Sequence, residues 1–291
     1  MVLRMTWLSS STLSSSASRW YNSPMRAFFA QREQAFVRYV DLPGLLPASV
    51  FIHGALDSSI AGMAMTAAQR GLRDRRRVLI DLLGYGMSDR PKEAEYSLQR
   101  HAQVVADLLD HLGIERCQLV GHSMGGAVVV MVASERPDLV CDLVLAEGKL
   151  SDGPEGFSSF AEGRSEEEYV QDWYPNFIAS RLEDATTEAG VLAIHLGMAQ
   201  AAAPWAVYRT SQSLNVDSLQ PSLRERFLSL DMPRAYFVGA NSEPDEDDLP
   251  LKDELMQRGG DWVVVPDAEH QMNFDNPEGF ADAIARRVRA H

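Results

Sequence analysis

The sequence predicts an α/β fold with a mostly parallel central sheet and helices on both faces. Apolar residues dominate positions 78–82, which is typical of a parallel strand buried on both sides. Residues 117–126 pass from an apolar strand through a glycine-rich turn into a helix rich in Ala and Val. Over residues 151–230 strand alternation stops and large apolar side chains recur at helical spacing, so a helical region is predicted to interrupt the sheet.

The remaining elements follow from hydrophobic periodicity and from residues that end helices. Residues 97–112 carry apolar side chains on one face and stop at Gly113, which predicts an amphipathic helix. His101 and His111 are expected on its exposed surface. The helix after the glycine-rich turn is expected to end before Pro137. The predicted strands are 37–41, 49–53, 78–82, the strand entering the turn, 142–146, 234–239 and 262–266, followed by a last helix from 276.

The pentapeptide Gly121-His122-Ser123-Met124-Gly125 lies at the junction of strand, turn and helix. A Gly-x-Ser-x-Gly turn in that position holds its serine on a tight elbow, with the hydroxyl projecting from the end of the sheet. Side chains at Gly121 and Gly125 would collide with neighbouring backbone in so tight a turn. The following helix points its free N–H groups at any negative charge that forms beside Ser123. We therefore predict that Ser123 is a nucleophile rather than part of a structural glycine turn.

A serine nucleophile needs a histidine base, and that base needs a carboxylate to orient it. Of the seven histidines, His270 is the one that follows a strand near the C-terminus and lies in a loop. From there its ring can reach over the end of the sheet. Asn276 and Pro277 then open the next helix. His195 lies among apolar residues in a helical stretch, which favours packing, so His270 is the predicted general base.

Together with two upstream motifs, these residues resemble the α/β-hydrolase superfamily from about residue 37 to the end of the chain. Residues 50–55 resemble its strand and His-Gly turn, and residues 78–91 resemble its next strand and Gly-x-Gly-x-Ser-x-x-Pro loop. The resemblance implies an oxyanion hole formed by the backbone N–H groups of Ala55 and Met124. It also implies a serine hydrolase with a helical cap inserted after strand six, on a fold that hosts many reactions.

The position of the acid departs from the usual pattern of that superfamily. Most members carry an aspartate after strand seven, and the matching residue here is Ser242, which cannot orient a histidine by charge. The acid could have moved to Glu243 or Asp245, although that acidic run is most simply a solvated loop. The alternative is Glu147, directly after strand six, at the edge where such sheets bind ligands. Because an unpaired buried acid is costly, we favour Glu147 as the partner of His270.

The chain is predicted to contain an extension, a core in two pieces and a cap. Residues 1–24 hold eight serines and no acid, and are expected to be disordered, as a transit peptide or because translation starts at Met25. Residues 25–150 and 231–291 are the predicted hydrolase core. Residues 151–230 resemble the superfamily's helical cap, and their many aromatic side chains imply an apolar roof over a pocket.

Composition and charge limit the partners of the protein. The formal net charge of −14 at pH 7 argues against nucleic acid and against a membrane surface. Cys117 and Cys141 are too few for a disulfide framework and are expected to be buried free thiols. We find no metal-ligand cluster or dinucleotide fingerprint in the sequence and expect no cofactor or metal. A cytoplasmic protein with a small hydrophobic substrate is expected, and a homodimer stays open.

These observations predict a serine hydrolase that works by acyl transfer, most simply a carboxylic-ester hydrolase for a small or medium-sized hydrophobic substrate. Carbon–carbon bond hydrolysis and cofactor-free perhydrolysis, the haloperoxidase type of reaction, use the same triad and stay open. A serine at the elbow argues against the dehalogenase and epoxide hydrolase branches, which use an aspartate there. Ser242 motivates one further alternative, a non-catalytic ligand-binding sensor on a hydrolase fold.

Overall fold

A computed structural model describes residues 25–150, 159, 161–187, 191–214, 221–242 and 248–288. Its strands are β1 (Met25–Ala30), β2 (Ala35–Leu42), β3 (Leu45–Ile52), β4 (Arg75–Ile80), β5 (Cys117–His122), β6 (Val140–Ala146), β7 (Arg234–Gly239) and β8 (Asp261–Val265). Within the described residues they form one sheet in the order β1-β2-β4-β3-β5-β6-β7-β8. Strand β2 pairs antiparallel with β1 and β4, and all other neighbours are parallel.

From β3 onward, helices lie between consecutive strands. The helices are α1 (Ser59–Gly62), α2 (Ala64–Ala67), α3 (Leu98–His111), α4 (Met124–Glu135), α5 (Glu166–Glu168), α6 (Tyr174–Thr187), α7 (Val191–Ala201), α8 (Pro204–Ser213), α9 (Leu223–Ser229), α10 (Asp248–Gln257), α11 (Met272–Asp275) and α12 (Pro277–Arg287). A 3₁₀ turn spans Pro137–Leu139, and a π-helical turn spans Tyr169–Trp173. Among the described residues, no helix combines the length and the apolar character that crossing a bilayer requires.

The sheet is covered by apolar packing on both faces. Alternation along β3 sends Val50 and Ile52 into the cluster that contains α3 and α4. Phe51, between them, joins the cluster on the opposite face with Phe280 and Ile284 of α12. Every residue of β5 is buried, as expected for a central parallel strand. The predicted α/β class, with a mostly parallel sheet between two helical layers, is therefore confirmed.

The helices between β6 and β7 are attached to the carboxyl end of β4. The Ala203 N–H donates to the Gly84 carbonyl at 2.7 Å, directly before α8. At the other end of α8, the Ser213 hydroxyl accepts from the Leu98 N–H at 2.8 Å. Arg209 of the same helix pairs with Glu166 at 2.6 Å. These contacts place α8 beside the loop after β4, while the division of the chain into core and cap stays a prediction.

Three details differ from the sequence predictions. Strand β1 was not predicted, because its exposed residues show no clear alternation at this edge of the sheet. The prediction for His101 was wrong: the side chain is 3% exposed, because α8 covers that face of α3 and brings the Thr210 hydroxyl 3.2 Å from Nε2. Burial lowers the pKa of His101 to about 3, so this imidazole is neutral.

Cys117 is buried as expected, whereas Cys141 is half-buried. The predicted extension 1–24 lies outside the described residues.

Candidate active site

The elbow between β5 and α4 holds Ser123 in a strained backbone conformation. Its φ is +50° and its ψ is −121°, in a region that non-glycine residues rarely occupy. The Ser123 N–H donates to the Ala146 carbonyl at 3.0 Å, and its carbonyl accepts from the N–H groups of Gly126 at 2.8 Å and Lys149 at 2.9 Å. Backbone hydrogen bonds therefore fix the elbow on both sides, and the strain is maintained by its surroundings.

The two glycines of the elbow have no room for a side chain. A Cβ at Gly121 would lie 2.4 Å from the Gly125 carbonyl oxygen. A Cβ at Gly125 would lie 2.4 Å from the His53 carbonyl oxygen, at the end of β3. In both cases the obstacle is backbone, which cannot give way as a flexible side chain can. The predicted reason for these glycines is therefore the reason seen in the structure.

The loop after β3 lies directly against Ser123. A Cβ at Gly54 would be 3.1 Å from the Cβ of Ser123, so the following residue, Ala55, is close to the elbow. Met124 is the first residue of α4, where N–H groups have no acceptor within the helix. Among the described residues, neither amide donates a hydrogen bond. The two N–H groups predicted as an oxyanion hole are thus free to bind a ligand oxygen.

A buried histidine holds the loop of Ala55 in place. The His53 Nε2 accepts from the Leu82 N–H at 3.1 Å, so the proton sits on Nδ1, which donates to the Gly54 carbonyl at 2.7 Å. Burial lowers the pKa of His53 and keeps the ring neutral. His53 is therefore a structural link between β3 and the loop after β4.

The predicted acid and base are in contact. The Glu147 Oε2 lies 2.7 Å from the Nδ1 of His270. The other carboxylate oxygen, Oε1, accepts from the Gly239 N–H at 2.8 Å and from the Ser242 hydroxyl at 2.5 Å. Glu147 itself has a φ of +43°, a left-handed conformation directly after β6. Two loops after neighbouring strands thus converge on one carboxylate, and its second oxygen faces the imidazole.

Hydrogen bonds keep this carboxylate charged. Burial by itself would raise the pKa of Glu147, whose side chain is 14% exposed. The hydrogen bonds from His270, the Gly239 N–H and Ser242 outweigh that effect and hold the pKa below its usual range. Glu147 is therefore ionised at neutral pH and is suited to stabilise a protonated imidazole at His270.

Ser123 and His270 are connected through the residue between Gly121 and Ser123. The Nε2 of His122 donates to the His270 carbonyl at 2.7 Å, and the two rings lie 4.9 Å apart between centroids. Between the described side chains of Ser123 and His270 themselves there is no hydrogen bond. Catalytic hydrogen bonds of this kind are often long before substrate binds and tighten afterwards. The structure therefore brings His270 to the elbow, with its Nδ1 held by Glu147.

Two buried carboxyl groups lie behind the oxyanion loop. Asp81 accepts hydrogen bonds from the Ser58 hydroxyl at 2.9 Å and from the Met87 N–H at 2.8 Å. Asp57 accepts from the Ser58 N–H at 2.6 Å, and its Oδ2 has no partner among the described residues. Burial raises the pKa of Asp57 to about 7, and the nearby charge of Asp81 adds to the shift. These acids support the loop. The described residues contain no cluster of His, Cys, Asp or Glu suited to a metal ion.

The five predicted site residues thus lie at one edge of the sheet, and their chemical roles stay predictions. The alternative acids Glu243 and Asp245 lie outside the described residues. Sequence reasoning missed Ser242 as a site residue, because it considered that side chain only as a replacement for a charged acid. Its place three residues after Gly239 was a usable signal, since it marked the turn after β7 that contacts the histidine loop.

Comparison with known proteins agrees with this architecture. The sequence model of the alpha/beta hydrolase family matches residues 50–283. The sn-1-specific diacylglycerol lipase ABHD11 of Mus musculus is 26% identical over 256 residues, 84% of this chain and 82% of the lipase. Haloalkane dehalogenase 2 of Mycobacterium tuberculosis is 36% identical over 129 residues, 44% of this chain and 41% of the dehalogenase.

Two further likenesses complete the comparison. The 2-hydroxymuconate semialdehyde hydrolase of Pseudomonas putida is 35% identical over 97 residues, 33% of this chain and 34% of that enzyme. Among solved structures, the enol-lactonase from Burkholderia xenovorans LB400 superposes with a TM-score of 0.72 at 19% identity, covering 90% of this chain and 98% of the lactonase. The solved structure shows the fold alone, and the sequence relatives catalyse several different reactions.

Proposed function

This chain belongs to the alpha/beta hydrolase family, and on that premise we propose that it is a serine hydrolase that cleaves carboxylic esters by acyl transfer. One observation carries the proposal: the ionised Glu147 holds the Nδ1 of His270 at 2.7 Å beside a strained Ser123. A carboxylate on Nδ1 leaves Nε2 as the basic nitrogen, which is the arrangement a serine nucleophile needs. A serine at the elbow also favours acyl transfer over halide displacement.

In the proposed reaction, the Ser123 oxygen attacks the ester carbonyl while its proton moves to the Nε2 of His270. The carbonyl oxygen becomes an oxyanion, which accepts hydrogen bonds from the N–H groups of Ala55 and Met124, each worth about 3 kcal/mol in the transition state. The oxyanion then collapses and breaks the ester C–O bond, while the imidazolium gives its proton to the departing alkoxide. The alcohol leaves, and the acyl group stays bonded to the Ser123 oxygen. Water, deprotonated by His270, attacks the acyl-serine and releases the acid. Throughout, Glu147 stays ionised and stabilises the imidazolium.

The aromatic side chains of the helical region support a hydrophobic substrate. Trp173 stacks on Tyr169 with ring centroids 4.9 Å apart and on Phe177 at 5.1 Å. Tyr169 also contacts Tyr208 of α8 at 5.3 Å. Since α8 is bonded to the loop after β4, this aromatic group lies on the side of the sheet where β4 ends. We therefore propose small or medium-sized acyl chains rather than charged substrates.

Labelling with a fluorophosphonate probe tests the enzyme proposal, with the modified residue located by mass spectrometry. We expect covalent labelling at Ser123 in the folded protein and none in Ser123→Ala. A series of p-nitrophenyl esters graded by acyl length then locates the preferred substrate. Folded protein that takes no label at Ser123 would contradict the enzyme proposal and favour the ligand-binding sensor.

Carbon–carbon bond hydrolysis is a second candidate, favoured by the likeness to the 2-hydroxymuconate semialdehyde hydrolase. The same three side chains would serve, because attack on a ketone carbonyl also generates an oxyanion. Assaying a vinylogous 1,5-diketone acid beside the ester series separates the two. Turnover of the diketone above that of every ester would replace the esterase proposal.

A further inference from the structure

Ser242 lies in a turn that is bonded to the loop of His270. The Ser242 N–H donates to the Gly239 carbonyl at 3.2 Å, which closes the turn after β7. The neighbouring Asn241 N–H donates to the Ala268 carbonyl at 2.9 Å, two residues before His270. A Cβ at Gly239 would meet the same carbonyl at 2.4 Å, so the turn and the histidine loop are in close contact. Ser242 is therefore held at a fixed place relative to the imidazole.

The hydroxyl of Ser242 helps to hold the carboxylate of Glu147 in the orientation that faces His270. The hydroxyl donates to Oε1 at 2.5 Å, and the Gly239 N–H donates to the same oxygen. Oε1 therefore accepts two hydrogen bonds. With Oε1 fixed in this way, Oε2 is left pointing at the Nδ1 of His270. Hydrogen bonds to a carboxylate are stronger than those between neutral groups. Without the hydroxyl, the Gly239 N–H alone would hold Oε1, and the carboxylate would be less restricted in its orientation toward His270.

We propose that Ser242 is a positioning residue, which acts on the reaction by fixing the carboxylate of Glu147 against His270. The inference rests on the proposed function for its catalytic consequence, but the geometry that it describes exists without substrate. It accounts for a neutral side chain at the position where an acid was expected: the charge lies at Glu147, and its orientation comes from position 242.

Two measurements on the full chain test this role. The first is proton NMR of the imidazole Nδ1–H, whose resonance moves far downfield when it donates to a carboxylate. The second is a comparison of kcat and KM on the best p-nitrophenyl ester. The variants are Ser242→Ala, Ser242→Thr, which keeps the hydroxyl, and Glu147→Gln, which identifies the resonance. Ser134→Ala is the matched control, because among the described residues its hydroxyl bonds only to the Val130 carbonyl within α4.

We expect Ser242→Ala to move the downfield resonance upfield and to speed its exchange with water. The same variant should lower kcat about tenfold with little change in KM. Ser242→Thr should restore both values, and Ser134→Ala should leave both at the wild-type level. A Ser242→Ala protein that keeps the wild-type resonance and kcat would overturn the inference, as would a failure of Ser242→Thr to restore them.

The NMR measurement separates this inference from the proposed function. If the wild-type protein cleaves no ester but Ser242→Ala still shifts the resonance, the esterase proposal fails and the positioning role stands. If the wild-type protein is an active esterase and Ser242→Ala changes neither measurement, the positioning role fails and the esterase proposal stands.

Discussion

The two halves of the candidate site are built in different ways. The half that carries Ser123 is fixed by backbone: a strained φ, two glycines without room for a Cβ, and hydrogen bonds between main-chain groups. The half that carries His270 is fixed by side chains, with Glu147 held by a hydroxyl and a backbone N–H from another loop. The first half depends on main-chain contacts of one short motif with the neighbouring strands β3 and β6, whereas the second depends on side chains from three loops.

This difference indicates how each half tolerates change. A backbone elbow admits no substitute at its glycines, because a Cβ would overlap main-chain atoms. A carboxylate can be supplied from any loop that reaches the imidazole, provided that donors are present to orient it. We therefore expect substitutions at the elbow glycines to act on folding and on chemistry together, and those around Glu147 to act on chemistry alone.

The largest expected effect is that of Ser123→Ala. Removing the hydroxyl should lower kcat by about 10⁶, the loss seen when a serine nucleophile is removed from a comparable triad. The circular dichroism spectrum and the melting temperature should stay close to those of the wild type, since among the described residues the Ser123 side chain makes no hydrogen bond and its backbone bonds remain. Residual turnover within tenfold of the wild type would show that another group attacks the substrate.

Gly125→Ala should disrupt the elbow that carries Ser123, because backbone contacts fix its shape. The new Cβ would lie 2.4 Å from the His53 carbonyl oxygen and 2.5 Å from that of Ile52, so main chain must move. We expect the free energy of unfolding to fall by about 4 kcal/mol or more, measured by denaturant titration. Gly197→Ala in α7 is the matched control, because its Cβ meets nothing within 4 Å and should be neutral or slightly stabilising. Equal stability of both variants would contradict the steric account.

Asp57 and Glu147 have pKa values shifted in opposite directions: that of Asp57 is raised and that of Glu147 is lowered. Asp57→Asn tests the raised one. The unfolded chain loses this proton near pH 4, while burial retains it in the folded chain to about pH 7. The wild-type protein therefore loses stability as the pH rises from about 4 to 7, and Asn removes that loss. At pH 8 we expect Asp57→Asn to be more stable than the wild type by about 4 kcal/mol. Thermal unfolding of both proteins at pH 4 and pH 8 measures this effect. A stability difference between variant and wild type that is the same at both pH values would refute it.

The difference between the two halves of the site also explains which residues could be predicted from the sequence. Ser123, its glycines and the loop of His270 were predictable, because a short motif between a strand and a helix fixes them. Glu147 could be proposed only from its place after β6, since its contacts come from residues more than 90 positions away.

The residues that were missed depend on contacts across the chain. Ser242 acts through Glu147, and a hydroxyl gives no sign in the sequence that its partner is a carboxylate. His101 looked exposed because α3 is amphipathic, but α8 covers it in the folded chain. The burial of Asp57 follows from the packing of its loop, which no local pattern reveals.

The central claim, that Glu147 is the acid that orients His270, is tested most directly by the kcat of Glu147→Gln on a cleaved ester. Gln is close in size to Glu but lacks the charge that stabilises the imidazolium, so kcat should fall by about 10⁴ while the protein stays folded. Glu269→Gln is the matched control: it lies next to His270, is exposed and should keep kcat within about twofold of the wild type. A Glu147→Gln enzyme with near wild-type kcat would contradict the account and transfer the role to another acid.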